Sequence, residues 1–213
     1  MTDEAQIIQG SPEWMQARVG SLGASRISEA TARTKTGWGA SRANLMAELL
    51  VERLTGRPTD KFTTTAMQTG TLREPDARAG YEFVKSVDVR EVGIIRHPRI
   101  RGTHASPDGL IGDDGMIEIK APQPAAHLEI LLSGTIPNKY MLQMAWQMCC
   151  ADRAWCDFVS YNPDFPGSMN IFIKRVHRSP EQEKELEAEV ASFISELDAK
   201  ETTLRQTYEK AAA

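Results

Sequence analysis

The chain has 213 residues, of which 41% are hydrophobic and 25% charged, a composition suited to a folded, soluble protein with a well-buried core. No apolar run approaches the ~18 residues of a membrane span, and the acidic start MTDEAQ lacks the apolar centre of a secretory signal. The formal net charge of −4 is carried by residues 178–213, which hold nine acids and five bases, so the rest of the chain is neutral.

In chain order, Trp14 to Arg18 leads into VGSLGASRISEATA, which reads as a turn and a short helix, and TKTGWGAS as a Gly-rich loop. Between residues 14 and 46, Arg18, Arg26, Arg33, Lys35 and Arg42 are balanced only by Glu29, a local charge of +4. Such a stretch, rich in Ser, Thr and Gly, suits phosphate contacts; a solvated basic face has the same composition. Ser41 has the chemistry of an N-cap, and Leu45, Met46, Leu49, Leu50 and Leu54 give an amphipathic helix that Gly56 and Pro58 end. After a polar linker, TGTLREPDARAGYEFVKS (69–86) predicts a second helix, with Pro75 placed in its first turn, where a missing N–H costs nothing.

Residues 87–95, 99–106 and 115–120 then read as strands, PAAHLEILLSG and PNKYMLQMAWQMCCA as helices, and AWCDFVSY and MNIFIKRV as strands. A long charged helix from Pro180 to Tyr208 follows. The order predicts one α/β domain over 1–213, with a mixed central sheet flanked by helices. Three cysteines, Cys149, Cys150 and Cys156, cannot all pair within the chain, which argues for a cytoplasmic protein.

The stretch SPDGLIGDDGMIEIKAP, residues 106–122, concentrates the chemistry. Asp113, Asp114 and Gly115 read as a hairpin turn. Strand alternation places Ile117 and Ile119 on one face and Met116, Glu118 and Lys120 on the other. The hairpin would bring Asp108 beside Glu118, with Lys120 next to both. Converging carboxylates repel unless a cation lies between them, and oxygen donors of this kind favour Mg²⁺ or Mn²⁺. An exposed hairpin with a cross-strand ion pair uses the same residues.

SPDGL…GMIEIKAP resembles the PD-(D/E)-x-K nuclease signature, and more closely that of the lambda-type phage exonucleases (YqaJ-like viral recombinases). EWMQARVGSLGAS (13–25), TGTLREPDAR (69–78) and YMLQMAWQM (140–148) resemble three further blocks of that family, in the same order. The resemblance implies a restriction-endonuclease-like fold. It implies Asp108, Glu118 and the Ile119 carbonyl as metal ligands and Lys120 as the catalytic lysine. Glu74 would hold a second metal or the attacking water, and Tyr140 and Gln143 would line the site. Arg18 and Ser25 would bind the 5′-phosphate of a DNA end. Each has another reading: Glu74 as a first-turn acid favoured by the helix dipole, Arg18 paired with Glu13, Ser25 as a helix cap, Tyr140 as a core aromatic.

The activity implied is a Mg²⁺-dependent 5′→3′ exonuclease, with Mn²⁺ substituting, that digests one strand of linear duplex DNA and leaves 3′ overhangs. A ring-shaped homotrimer, a single-strand annealing recombinase as partner, and a phage or prophage origin in a bacterial host come with the resemblance. A related endonuclease, restriction or junction-resolving, and a catalytically inactive DNA-binding subunit are the alternatives. Zinc chemistry has no support, since His97, His104, His127 and His177 lack ligand spacing with the cysteines. Three cysteines cannot hold a four-cysteine iron–sulfur cluster, and no Walker A motif is present. Trp38, flanked by glycines, stays outside the expected site.

Overall fold

The computed structural model describes residues 4–59 and 65–209, and the side chains of all of these except 65–67. Its centre is the hairpin anticipated above. Strand β6 (Gly109–Ile111) runs antiparallel to β7 (Gly115–Lys120), which pairs in parallel with β8 (Trp155–Tyr161), itself antiparallel to β9 (Ile171–His177). The result is a mixed four-stranded sheet. The parallel β7–β8 pair requires a long crossover, which helices α5 (Pro124–Ser133) and α6 (Asn138–Ala151) supply.

Each face of this sheet is covered. Met116, Cys156 and Phe158 pack against Met144 and Met148 of α6 and Ile130 of α5. On the other face, Ile117, Ile119 and Val159 meet Ala77 and Tyr81 of α4 (Thr65–Lys85). The alternation read from the sequence is therefore the observed one. Asp157 shares the α4 face; it accepts from the Tyr81 hydroxyl at 2.7 Å and from Arg175 Nε at 2.8 Å, so this buried charge is compensated.

Helix α1 (Pro12–Ala17) buries no residue, and a third core joins β1 (Leu22–Gly23) and α2 (Ile27–Ala30) to α3 (Ala40–Thr55) and α7 (Pro180–Tyr208). Leu186, Val190, Phe193, Ile194 and Leu197 form the apolar stripe of α7 and pack with Leu45, Met46 and Leu49 of α3. Burial of each such side chain contributes roughly 1.5–3 kcal/mol. The acids of α7 meet the bases of the N-terminal region: Glu189 pairs with Arg33, Glu196 with Arg42, and Asp198 with Arg53. The opposite charges counted in the two regions are thus partners within one molecule.

Several local expectations are corrected. The turn is Gly112–Asp114, with Gly112 in the left-handed region at φ 52°; Gly115 already belongs to β7, where an added Cβ would lie 2.1 Å from the Trp155 ring. Residues 34–41 are not a plain loop, because β2 (Arg33–Thr34) and β3 (Gly37–Trp38) form a hairpin. Gly39, not Ser41, caps α3. Helix α4 begins before the expected start, so Pro75 lies in its interior. The long strands expected over 87–106 shrink to β4 (Ile95–Arg96) and β5 (Thr103–Ala105), which form a small sheet with β1.

Candidate active site

Register places Asp108 directly across the hairpin from Glu118, since Gly109 pairs with Ile117 one step further along the ladder. Pro107 ends the incoming segment with no N–H to pair, and Gln9 holds its carbonyl at 2.9 Å. Asp108 Oδ2 accepts from the Ile119 N–H at 2.5 Å, leaving Oδ1 without a hydrogen-bond partner among the described residues. Lys120 Nζ contacts Glu118 Oε1.

The charges are strained in a particular way. Burial first, then the neighbouring Glu118, push the Asp108 carboxyl well above the usual carboxylate range; Lys120 and the Ile119 N–H pull it back. Burial depresses Lys120, but Glu118 and Asp108 together outweigh this and raise it above its ordinary value, so it stays an ammonium. Glu74, two turns before Tyr81 on α4, feels the same site. Burial raises it, Arg78 opposes that, and Glu118 and Lys120 act on it with opposite signs. Its own hydrogen bond is to Arg78 at 2.7 Å.

Glu118 is fully buried and held from α6. Gln143 Nε2 donates to Oε1 at 2.7 Å and Gln147 Nε2 to Oε2 at 2.6 Å. Tyr140, one turn before Gln143, stacks on Phe158 with ring centroids 5.7 Å apart and lies under Lys120 Nζ at 5.3 Å. Tyr140 is partly buried against this core and borders the lysine.

Among the described residues no three His, Cys, Asp or Glu side chains gather closely enough to form a metal site by themselves. The donor set on offer is Asp108, Glu118 and the Ile119 carbonyl, with water and phosphate oxygens to complete it. It fits a hard divalent cation: the donors are all oxygen, two carboxylates converge, and Asp108 Oδ1 has no hydrogen-bond partner among the described residues.

Beside this cluster lies an open cleft of about 1250 Å³. Its walls include Trp14, Arg18, Gly23, Ser25 and His104, together with Gln68, Thr71 and Leu72 of α4. The carboxylates do not line it; the link between the two is Trp14, whose Nε1 donates to Ser106 Oγ, two residues before Asp108, at 3.1 Å. Arg18 has turned away from Glu13: its guanidinium lies 3.8 Å over the Trp14 ring and its Nε donates to His104 Nε2 at 3.1 Å. Ser25 is exposed at the start of a short 3₁₀ turn, Ala24–Arg26. Of the other bases in the +4 stretch, Arg26 is taken by Glu29 and Glu48, and Arg33 and Arg42 by α7.

Over residues 13–154 the sequence matches the YqaJ-like viral recombinase domain. The chain belongs to that family. LHK-Exo, an alkaline exonuclease from Laribacter hongkongensis, is 44% identical and aligns over 94% of this chain and 100% of its own with a TM-score of 0.88; one of its crystal structures contains dAMP. A phage-related exonuclease from Haemophilus somnus 129PT, 13% identical, aligns over 86% of this chain and 96% of its own with a TM-score of 0.68, a likeness of fold. No match was found among curated proteins.

Within this YqaJ-like chain, the fold gathers Glu74, Asp108, Glu118, Lys120, Tyr140 and Gln143 at one end of β7, and Arg18 and Ser25 in the adjoining cleft. Sequence reasoning missed Gln147 and His104. Gln147 was readable, because it follows Gln143 by one helical turn and so shares its face. His104 carried no such sign: only the pairing of β1 with β5, Gly23 opposite His104, brings it under Arg18.

Proposed function

We propose that this protein is a Mg²⁺-dependent 5′→3′ exonuclease that digests one strand of linear duplex DNA from a 5′-phosphorylated end. The observation that carries the reading is the juxtaposition of Asp108, Glu118 and Lys120 across the β6–β7 hairpin, beside a cleft that contains Arg18. The family membership and the 44% identity to an alkaline exonuclease crystallised with dAMP, a nucleoside monophosphate, support it.

Asp108, Glu118 and the Ile119 carbonyl would hold the cation, which when bound lowers the pKa of a water and neutralises phosphate charge. The protein supplies the rest. The two amides of α6 keep Glu118 in one rotamer, so its oxygens are fixed before substrate arrives. Lys120, kept protonated, orients the attacking water and stabilises the extra negative charge of the pentacovalent phosphorus. Glu74 takes a second metal or the water. Arg18 and Ser25 receive the terminal phosphate, Arg18 through paired N–H groups, and set which phosphodiester reaches the carboxylates. The whole 213-residue chain acts as one nuclease domain, and a closed homotrimer would retain DNA between cuts. The 3′ overhang would pass to a single-strand annealing recombinase in the bacterial cytoplasm.

The experiment uses linear duplex DNA with a 5′-phosphate on one strand and a 5′-hydroxyl on the other, with Mg²⁺, with EDTA, and with Lys120→Ala. Selective loss of the phosphorylated strand, abolished by both controls, is the expected result. Cutting of supercoiled circles would favour an endonuclease, and binding without cleavage in any divalent metal an inactive DNA-binding subunit.

A further inference from the structure

His104 has no part in the chemistry above, yet it is buried at the foot of the cleft and touches Arg18. Its hydrogen bonds fix its state. Arginine offers only donors, so His104 Nε2, 3.1 Å from Arg18 Nε, must be the unprotonated ring nitrogen. The ring proton is then on Nδ1 and donates to Ser21 Oγ at 2.8 Å. Arg96 donates to the same hydroxyl oxygen at 3.2 Å and anchors the far end of the row. Burial, then Arg18 and Arg96, depress the imidazole to about 3, in keeping with a ring that stays neutral.

Space for this arrangement comes from Gly23. A Cβ there would lie 3.0 Å from His104 Nε2 and 3.7 Å from an Arg18 terminal nitrogen. The guanidinium is therefore fixed from two directions, by the Trp14 ring beneath its plane and by His104 at its Nε edge. Its two terminal amino groups have no protein acceptor among the described residues, in a side chain that lines the cleft.

We infer that His104 is a positioning residue for recognition of a terminal phosphate: by occupying Arg18 Nε it commits the guanidinium to present its end-on pair of amino groups to the anion. The inference rests on the reading of Arg18 as the phosphate-binding residue. His104 has no proton to offer the phosphate at Nε2, so it acts through Arg18. A guanidinium free to rotate would spread its donors over several directions, and the fork geometry that favours a phosphate would be lost.

The test compares degradation of linear duplexes carrying a 5′-phosphate or a 5′-hydroxyl by the wild type, Arg18→Ala, His104→Ala and His104→Gln. Arg18→Ala is expected to abolish the phosphate preference. His104→Ala is expected to lower the ratio of kcat/KM on the two ends about tenfold, the scale of one hydrogen bond to a charged group, mainly through KM on phosphorylated ends. His104→Gln, whose side-chain oxygen can accept from Arg18 Nε, restores most of it. If His104→Ala fails to fold, Ser21→Ala, which releases Nδ1, gives the same change at smaller size. An unchanged ratio in the His104 and Ser21 variants, with Arg18→Ala losing it, overturns the inference alone. A parallel loss on both ends also overturns it, since that marks a merely structural histidine. A wild type without preference, or an Arg18→Ala that keeps it, overturns the reading of Arg18 and the inference with it.

Discussion

Gln147 donates its amide to Glu118 Oε2 at 2.6 Å from a position with no solvent exposure, and its own Oε1 has no hydrogen-bond partner among the described residues. The side chain is thus held for what its nitrogen does. Groups that orient a metal-binding carboxylate typically contribute 10–100-fold to metal affinity or rate. Gln147→Ala is expected to raise the Mg²⁺ concentration for half-maximal nuclease activity by about tenfold or more, within that range. Gln147→Glu is expected to be worse, because it places a second buried acid against Glu118. A Mg²⁺ titration equal to that of the wild type would show that Gln143 and Lys120 suffice.

Asp108 and Glu118 face each other across a ladder pair, and burial and mutual repulsion drive the Asp108 carboxyl upwards. A site built this way holds apart two groups that destabilise the metal-free protein. Asp108→Asn keeps an oxygen to accept from the Ile119 N–H while removing one charge. In EDTA the variant is expected to melt above the wild type by ~2–4 °C, the equivalent of ~1 kcal/mol for a chain of this size. It is also expected to be inactive. Mg²⁺ should raise the melting temperature of the wild type and leave that of the variant unchanged. A wild type indifferent to Mg²⁺ in calorimetry would remove the cation from this site.

Much of this was legible in the sequence, and where it was not the reasons are local. Strand β7 and the helix Pro180–Tyr208 have the bounds read from their periodicity: β7 alternates between two buried faces, and the helix buries one regular stripe. The region 87–106 misled because its alternating Val and Ile do not pair along a ladder. Gly93 and Ile94 instead donate to the carbonyls of Ala5 and Glu4, and Gly93 is required because a Cβ would lie 2.2 Å from the Ile7 carbonyl oxygen. On charge alone the basic stretch suits either phosphate contacts or a solvated face, and the acidic segment 178–213 carries the net charge. Ion pairs between distant segments, Arg33 with Glu189 and Arg42 with Glu196, are invisible until the fold is known. In the candidate site, Asp108, Glu118 and Lys120 lie together as the hairpin pattern implies, whereas His104 depends on β1–β5 pairing, which the sequence does not display.

The buried imidazole also makes a pH prediction. Its folded value of about 3 lies below the ordinary 6.5, and the charges that face it, Arg18 and Arg96, are both cations. As pH falls, the unfolded chain takes up a proton near 6.5 while the folded protein does not, so stability present above that pH is lost progressively towards 3. At pH 5 the loss from this group is about 2 kcal/mol. His104→Gln removes it. The stability difference between wild type and variant, measured by urea unfolding, is expected to shift by that amount in favour of the variant between pH 7.5 and 5. A difference independent of pH would mean that the ring is not held neutral.

Pro75 follows Glu74 in the interior of α4, where it cannot donate the helical hydrogen bond and crowds the preceding turn. Such a residue costs roughly 3 kcal/mol relative to alanine in a regular helix, so its place beside a candidate catalytic acid calls for a reason. Glu74 leaves the helix between Arg78 on its own face and the field of Glu118 and Lys120, and Pro75 is expected to fix that direction. Pro75→Ala is expected to raise stability by ~1–3 kcal/mol in urea unfolding, since the donor returns and the crowding goes. The same change is expected to lower kcat several-fold without altering KM, if Glu74 has the role proposed for it near the reacting phosphate and not at the end-binding cleft. Equal kcat in the stabilised variant would leave Pro75 as a feature of the helix alone, and would weaken the case for Glu74 as a participant in the reaction.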